Sequence, residues 1–207
     1  NSVVLGILST LCAAALAVPA ALALARYRVL GGRELLAFFL SPLSLPTIIL
    51  AIGMLFFTSR IGLGGSFLAL LAGHVVLVTP YIMRTVLAVY AGVNREIEEA
   101  AAVLGAPPLV SFFKVTLPMI RPGILAGGIF AFLISFDEVP VALFLTNTET
   151  TTLPVSILSY LVHNYDPAVA AISTVQMLIV LVLLLVLEHS FGIRHLILTS
   201  NAEGKRA

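Results

Sequence analysis

The stretch EAAAVLGAPPLVSFFKVTLP, Glu99 to Pro118, interrupts a chain that otherwise reads as nearly continuous membrane helix. It reads as two short helices joined by a sharp turn. Asn94 is placed to cap the first helix, and Glu96, Glu98 and Glu99 crowd its first turn, where the helix dipole favours negative charge. Ile97, Ala100, Ala101 and Leu104 follow at i, i+3, i+4 and i+7, giving an apolar face beside an acidic one. Gly105 suits a left-handed C-terminal position, and Pro107 and Pro108 prevent the helix from continuing. From Pro108 a second short helix would set Leu109, Phe112, Phe113 and Thr116 on one side, until Pro118 and Pro122 break it. A hairpin this small has no core of its own and too much charge to lie in lipid. The pattern leaves two readings open: a docking knob whose amphipathic helix is laid into a groove of another protein, or an amphipathic loop resting on the membrane surface.

The composition around the hairpin belongs to a membrane protein. Of 207 residues 60% are hydrophobic and 10% charged, with a mean hydropathy of +1.12, whereas a soluble domain carries about 25% charge to cover its surface. The net charge of +1 is uninformative as a total and informative only in its distribution, and no nucleic-acid partner is expected. A single cysteine, Cys12, excludes a disulfide framework within the chain and reads as a small helix-packing residue. His163, His189 and His195 show no metal-ligand spacing, and His74, alone in an apolar run, reads as a hydrogen-bonded packing residue rather than a ligand.

A spanning helix needs about 20 mostly apolar residues. Five segments qualify: Val3 to Ala25, Leu35 to Phe57, Ser66 to Arg84, Gly123 to Thr146 and Val169 to Phe191. Residues 1 to 25 lack the basic start of a signal peptide and are too long for its apolar region. Basic residues mark the cytoplasmic side. If the Arg26–Glu34 loop is inside, that side collects Arg26, Arg28, Arg33, Arg84, Arg95, Lys114, Arg121, Arg194, Lys205 and Arg206, and of the eleven Lys and Arg residues only Arg60 is outside. The hairpin and the C-terminus are then cytoplasmic and Asn1 is outside, which implies a further, sixth helix before it. The expected fold is an all-α integral membrane bundle, one N-terminally truncated transmembrane domain over residues 1–207 with a cytoplasmic loop at 94–118.

Inside the spans the exceptions carry the information. Pro42 and Pro46, among Ser41, Ser44 and Thr47, predict a kink in the second span, as a feature of a solute route or of packing. Gly62, Gly64 and Gly65 make the turn that follows it. Asp137 and Glu138 stand about sixteen residues into the fourth span, where a charge costs at least ~2.5 kcal/mol and ordinarily faces protein or water. Adjacent helical positions point about 100° apart, so one of the two faces any pathway. Asp137 then lines the route or a gate for a cationic solute; alternatively both acids cap or pair helices near the outer surface. Between Thr146 and Pro167 the chain has no Lys or Arg, an extended threonine-rich stretch, a short helix near Val155–Val162, and Tyr160 and Tyr165 as interfacial anchors.

Glu99-Ala100-Ala101, then Gly105, then Val115 and Leu117-Pro118, resemble the EAA signature of permease subunits in binding-protein-dependent ABC importers, which have the MetI-like fold. The stretch Ser135-Phe136-Asp137-Glu138, with Thr152-Leu153-Pro154, resembles the spermidine/putrescine branch. The resemblance implies a bacterial inner-membrane subunit without catalysis or cofactor of its own. Its coupling residues would be Glu99, Ala100, Ala101, Gly105, Val115, Leu117 and Pro118, seated in a cleft of an ATPase, and Asp137 and Glu138 would belong to the solute pathway. It also implies partners: two ATPase subunits, a second permease of the same or a different chain, and an extracytoplasmic solute-binding protein. The chain has no phosphate-cradling glycine loop, so ATP would be bound elsewhere. A secondary transporter or channel driven through Asp137 is the alternative; it calls for internal repeats, and no convincing one is present. An intramembrane enzyme would need a second buried acid on another helix or an HExxH motif, and neither is present.

Overall fold

In a computed structural model, residues 1–27, 29–163 and 168–191 are described. Arg28, Tyr165, Arg194, His195, Lys205 and Arg206, which enter the topology, outer-loop and metal-spacing readings, lie outside them, as does the C-terminal tail. The described residues form helices, turns and loops, with no strand among them. Contacts divide the chain into two units, Asn1–Ser156 and Ile157–Ala207.

The first unit is built on three long helices, α1 (Ser2–Arg26), α4 (Phe67–Ala91) and α7 (Leu117–Asp137). All are apolar enough to cross a bilayer, α7 together with the turns that lead into it from Pro108. With lipid on the outside, close van der Waals packing rather than water exclusion holds such helices together, so small residues belong at their contacts. Ala13, Ala17 and Ala21 of α1 belong to one buried core with Leu77, Val78, Ile82 and Val86 of α4 and Ala131 of α7. Gly123 and Gly127 of α7 lie against α4 so closely that a Cβ on Gly127 would sit 2.8 Å from the Ile82 Cα and overlap the Thr85 hydroxyl. One polar chain ties the three helices together. The His74 Nδ1 is 2.8 Å from the Ser135 hydroxyl, which is 2.9 Å from that of Ser9. His74 is thus a hydrogen-bonded packing residue.

The structure corrects the expected spans in three respects. The second is two helices, α2 (Gly32–Leu40), which runs on through the tight turn Ser41–Ser44, and α3 (Thr47–Arg60), with a bend of 109° across Leu45 and Pro46. Pro42 cannot donate to the Phe38 carbonyl, which instead receives the Ser41 hydroxyl at 2.8 Å, and Leu45, preceding Pro46, is extended. Two prolines four residues apart therefore produce a break and not a kink. The third span runs on to Ala91, well past Arg84. The fourth ends at Asp137 instead of Thr146: Pro140 would lose its own bond and clash with the Phe136 carbonyl, so Glu138 turns extended and a separate α8 (Pro140–Leu145) follows. Cys12 faces outward on this chain instead of packing within it.

Away from the hairpin, Asn147 organises the turn that leads to α9 (Leu153–His163). Its Oδ1 accepts from the backbone N–H of Glu149 and Thr150, at 2.9 and 2.8 Å, and its Nδ2 donates to the Gly65 carbonyl at 2.6 Å. Asn1 donates to the carbonyls of Glu149 and Thr151, and the Ser2 hydroxyl accepts from the Leu153 N–H. The second unit contains the rest of α9 and α10 (Ala168–Phe191), whose apolar stretch Ala170–Val182 lies within the expected fifth span.

Candidate coupling site

Asn94 caps the helix α5 (Arg95–Val103) as expected, its side chain accepting from the Glu96 N–H at 3.0 Å. The helix stops through a double hydrogen bond in which Gly105 N–H donates to Ala102 O and Ala106 N–H to Ala101 O, both at 3.0 Å. That closure requires a left-handed residue between them, and Gly105 supplies φ +82°. Pro107 is extended, and Pro108 opens α6 (Pro108–Ser111).

Here the structure departs from the expected second helix. α6 passes through one wide π turn, Phe112–Thr116, and continues into α7, so Pro118 and Pro122 do not break it. In the π turn the Leu117 N–H reaches back to the Phe112 carbonyl, and the extra residue is absorbed immediately before Pro118, whose ring forbids the regular bond to Lys114. The widening also rotates the side chains apart. Phe113 and Leu109 face outward while Thr116 is buried, so Leu109, Phe112, Phe113 and Thr116 do not share one face.

The signature residues divide in the same way. Glu99, Ala100, Gly105 and Pro118 are exposed, and Ala101, Val115 and Leu117 are half-buried. Around them Val103 and Leu104 are each 87% exposed, and Ile97, Leu109 and Phe113 are largely exposed. The hairpin therefore presents a ridge of large apolar side chains beside Glu99, with nothing of this chain described over it.

Its underside is held by a residue that sequence reasoning counted only as one of three first-turn acids. Glu98 is 3% exposed. Its carboxylate accepts from the Tyr90 hydroxyl at 3.1 Å and from the Thr116 hydroxyl, and pairs with the Arg26 guanidinium at 3.2 Å. Arg95 adds a bond to the Ala25 carbonyl at 2.8 Å. A cavity of about 460 Å³ lies beside this cluster, between α1 and the hairpin, lined among others by Leu22, Ala23, Ala102, Pro108 and Phe112. The one sequence signal for Glu98 was its position on a helix face otherwise made of alanine, at i−3 and i−4 from Ala101 and Ala102.

Asp137 and Glu138 sit at the end of α7 and not within a continuous helix. Glu138 accepts from the Val141 N–H at 3.2 Å and so caps α8, which is the capping role considered for it; Asp137 is exposed on this chain.

The described residues thus form a bundle of long apolar helices with a partly exposed hairpin between two of them. Residues 16–191 match the family described as binding-protein-dependent transport system inner membrane component, and the chain belongs to it. It is 34% identical over 169 residues to the putrescine transport system permease protein PotI of Escherichia coli, covering 78% of this chain and 60% of that protein. With the spermidine/putrescine transport system permease protein PotC of Haemophilus influenzae it shares 30% over 163 residues, covering 79% and 63%. With the molybdenum transport system permease protein ModB of Mycobacterium bovis it shares 32% over 194 residues, covering 86% and 72%. The chain thus spans about 60% of the length of the two polyamine permeases.

Proposed function

We propose that this chain is the transmembrane permease subunit of an ATP-driven importer and that its hairpin, 94–118, couples it to a separate ATPase. The observation that carries the reading is the exposed ridge of Val103, Leu104, Leu109 and Phe113 beside Glu99 on a hairpin too polar for lipid. Such a ridge suits an anchor-in-groove contact with a protein. Glu99 supplies charge at the docking face, Gly105 the turn that separates the two arms, and Ala100, Ala101, Val115, Leu117 and Pro118 the frame on which the ridge stands. ATP is bound and hydrolysed by the partner. Two such ATPases, a second permease and an extracytoplasmic solute-binding protein complete the importer, in a bacterial inner membrane with the hairpin and the C-terminus cytoplasmic. Basic residues at the hairpin end, Arg26, Arg33, Arg95, Lys114 and Arg121, support that orientation.

The solute is a polyamine or a similar small cation, supported by the likeness to PotI and PotC; the likeness to ModB makes an oxyanion the competing outcome. Asp137 is assigned to the solute route, at the break between α7 and α8, and Glu138 holds that break open by capping α8. The test is uptake into proteoliposomes that hold the full-length permease pair and ATPase, supplied with the binding protein. Putrescine uptake that needs internal ATP and is lost in Asp137→Lys is expected. Molybdate uptake would overturn the polyamine assignment, and uptake driven by a proton gradient without ATP would overturn the importer reading.

A further inference from the structure

The hairpin is continuous in the chain with α4 on one side, through Gly92–Asn94, and with α7 on the other, through the π turn. Its relation to α1 is different. Between them lies the cavity of about 460 Å³, so side-chain packing does not fill the space, and the ties across it are polar. They are the Arg26–Glu98 pair at 3.2 Å and the Arg95 bond to the Ala25 carbonyl. The same Glu98 carboxylate also takes the hydroxyls of Tyr90, at the end of α4, and Thr116, in the π turn. One buried group thus collects donors from α1, from α4 and from the second arm of the hairpin. An acid this deeply buried is expensive unless its lone pairs are taken, and here three donors take them.

We infer that Glu98 is the positioning residue of the hairpin: its carboxylate clamps α5 to Arg26 across the void, so that displacement of the hairpin by the ATPase is passed to α1 through this contact, and not only along the chain into α4 and α7. The inference rests on the coupling role proposed above. The void supplies the room for movement and the clamp sets the rest position. Tyr90 and Thr116 hold the carboxylate in the rotamer that reaches Arg26, and act through it.

Amide hydrogen exchange on the full complex with its ATPase tests this, comparing nucleotide-free with ATP-bound states. In wild type, ATP is expected to change exchange in the hairpin and, by roughly threefold or more, in the inner turn of α1, residues 20–27. Arg26→Gln should abolish the α1 response while the hairpin response and ATPase association persist, and Arg26→Lys should restore it. Tyr90→Phe, which keeps the packing and removes one donor, should reduce the α1 response and serves if Arg26→Gln does not fold. A merely structural role would lower yield without separating the two responses. An α1 response that survives undiminished in Arg26→Gln or in Tyr90→Phe, or a hairpin response with none in wild-type α1, overturns the clamp but leaves the coupling role standing. Failure of wild type to bind an ATPase, with no hairpin response, overturns both.

Discussion

The two ends of the first unit are built from different materials. At one end Asn147, Asn1 and Ser2 bind backbone groups directly, through neutral hydrogen bonds of 2.6 to 3.2 Å, and join the α3–α4 turn, the N-terminus and the segment before α9. At the other end a hairpin stands over a cavity, fastened by one charged cluster and exposing its large apolar residues outward. Short neutral bonds to backbone leave a turn little freedom. A single ionic clamp beside a void permits a second position, and exposed apolar residues gain from being covered by another protein. The difference is that between a part held by direct backbone bonds and a part that, on the coupling role proposed above, is grasped and moved.

Four substitutions sharpen that contrast. The largest effect is expected in the frame common to both ends. Gly127→Leu drives a side chain into the Ile82 backbone, which cannot yield, and should cost about 3 kcal/mol or more, seen as loss of monodisperse protein in size-exclusion chromatography. Arg26→Ala strands the buried Glu98. It should lower stability by about 3 kcal/mol, the low end for removing one member of a buried pair because Arg26 is itself partly solvated, read as a lower thermal midpoint. Gly105→Val puts a β-branched residue at φ +82° and should cost about 1–2 kcal/mol, confined to the end of α5, with ATPase association lost while the bundle remains folded. Asn147→Ala should cost about 1 kcal/mol, accelerate amide exchange only around Gly65 and Thr150, and leave ATPase association unchanged. If Asn147→Ala weakened association as much as Gly105→Val, the division of labour between the ends would be wrong.

What could be read from the sequence was local. The Asn94 cap and the stop at Gly105 and Pro107 each depend on residues within one turn of the event, so the backbone chemistry announces them. The long apolar helices and the packing role of His74 were legible from hydropathy alone. The 109° bend was not, because two prolines specify that a helix fails and not where its halves go afterwards. Nor was the continuity of α6 into α7. Pro118 forbids one hydrogen bond, and a π turn that moves the register by a residue avoids the break. Glu98 was hidden for a third reason. Beside Glu96 and Glu99 it fits the helix dipole equally well, and only the fold brings Arg26 and Thr116 to it.

The central claim is that the exposed ridge of the hairpin is where an ATPase docks. The direct measurement is site-specific photo-crosslinking in full-length protein co-expressed with its ATPase, with a benzophenone amino acid placed at Leu104 or, at the other end of the molecule, at Asn147. A crosslink to the ATPase from position 104, lost when Gly105→Val is added, and none from position 147, is the expected result. No ATPase adduct from position 104, or equal adducts from both positions, would contradict it.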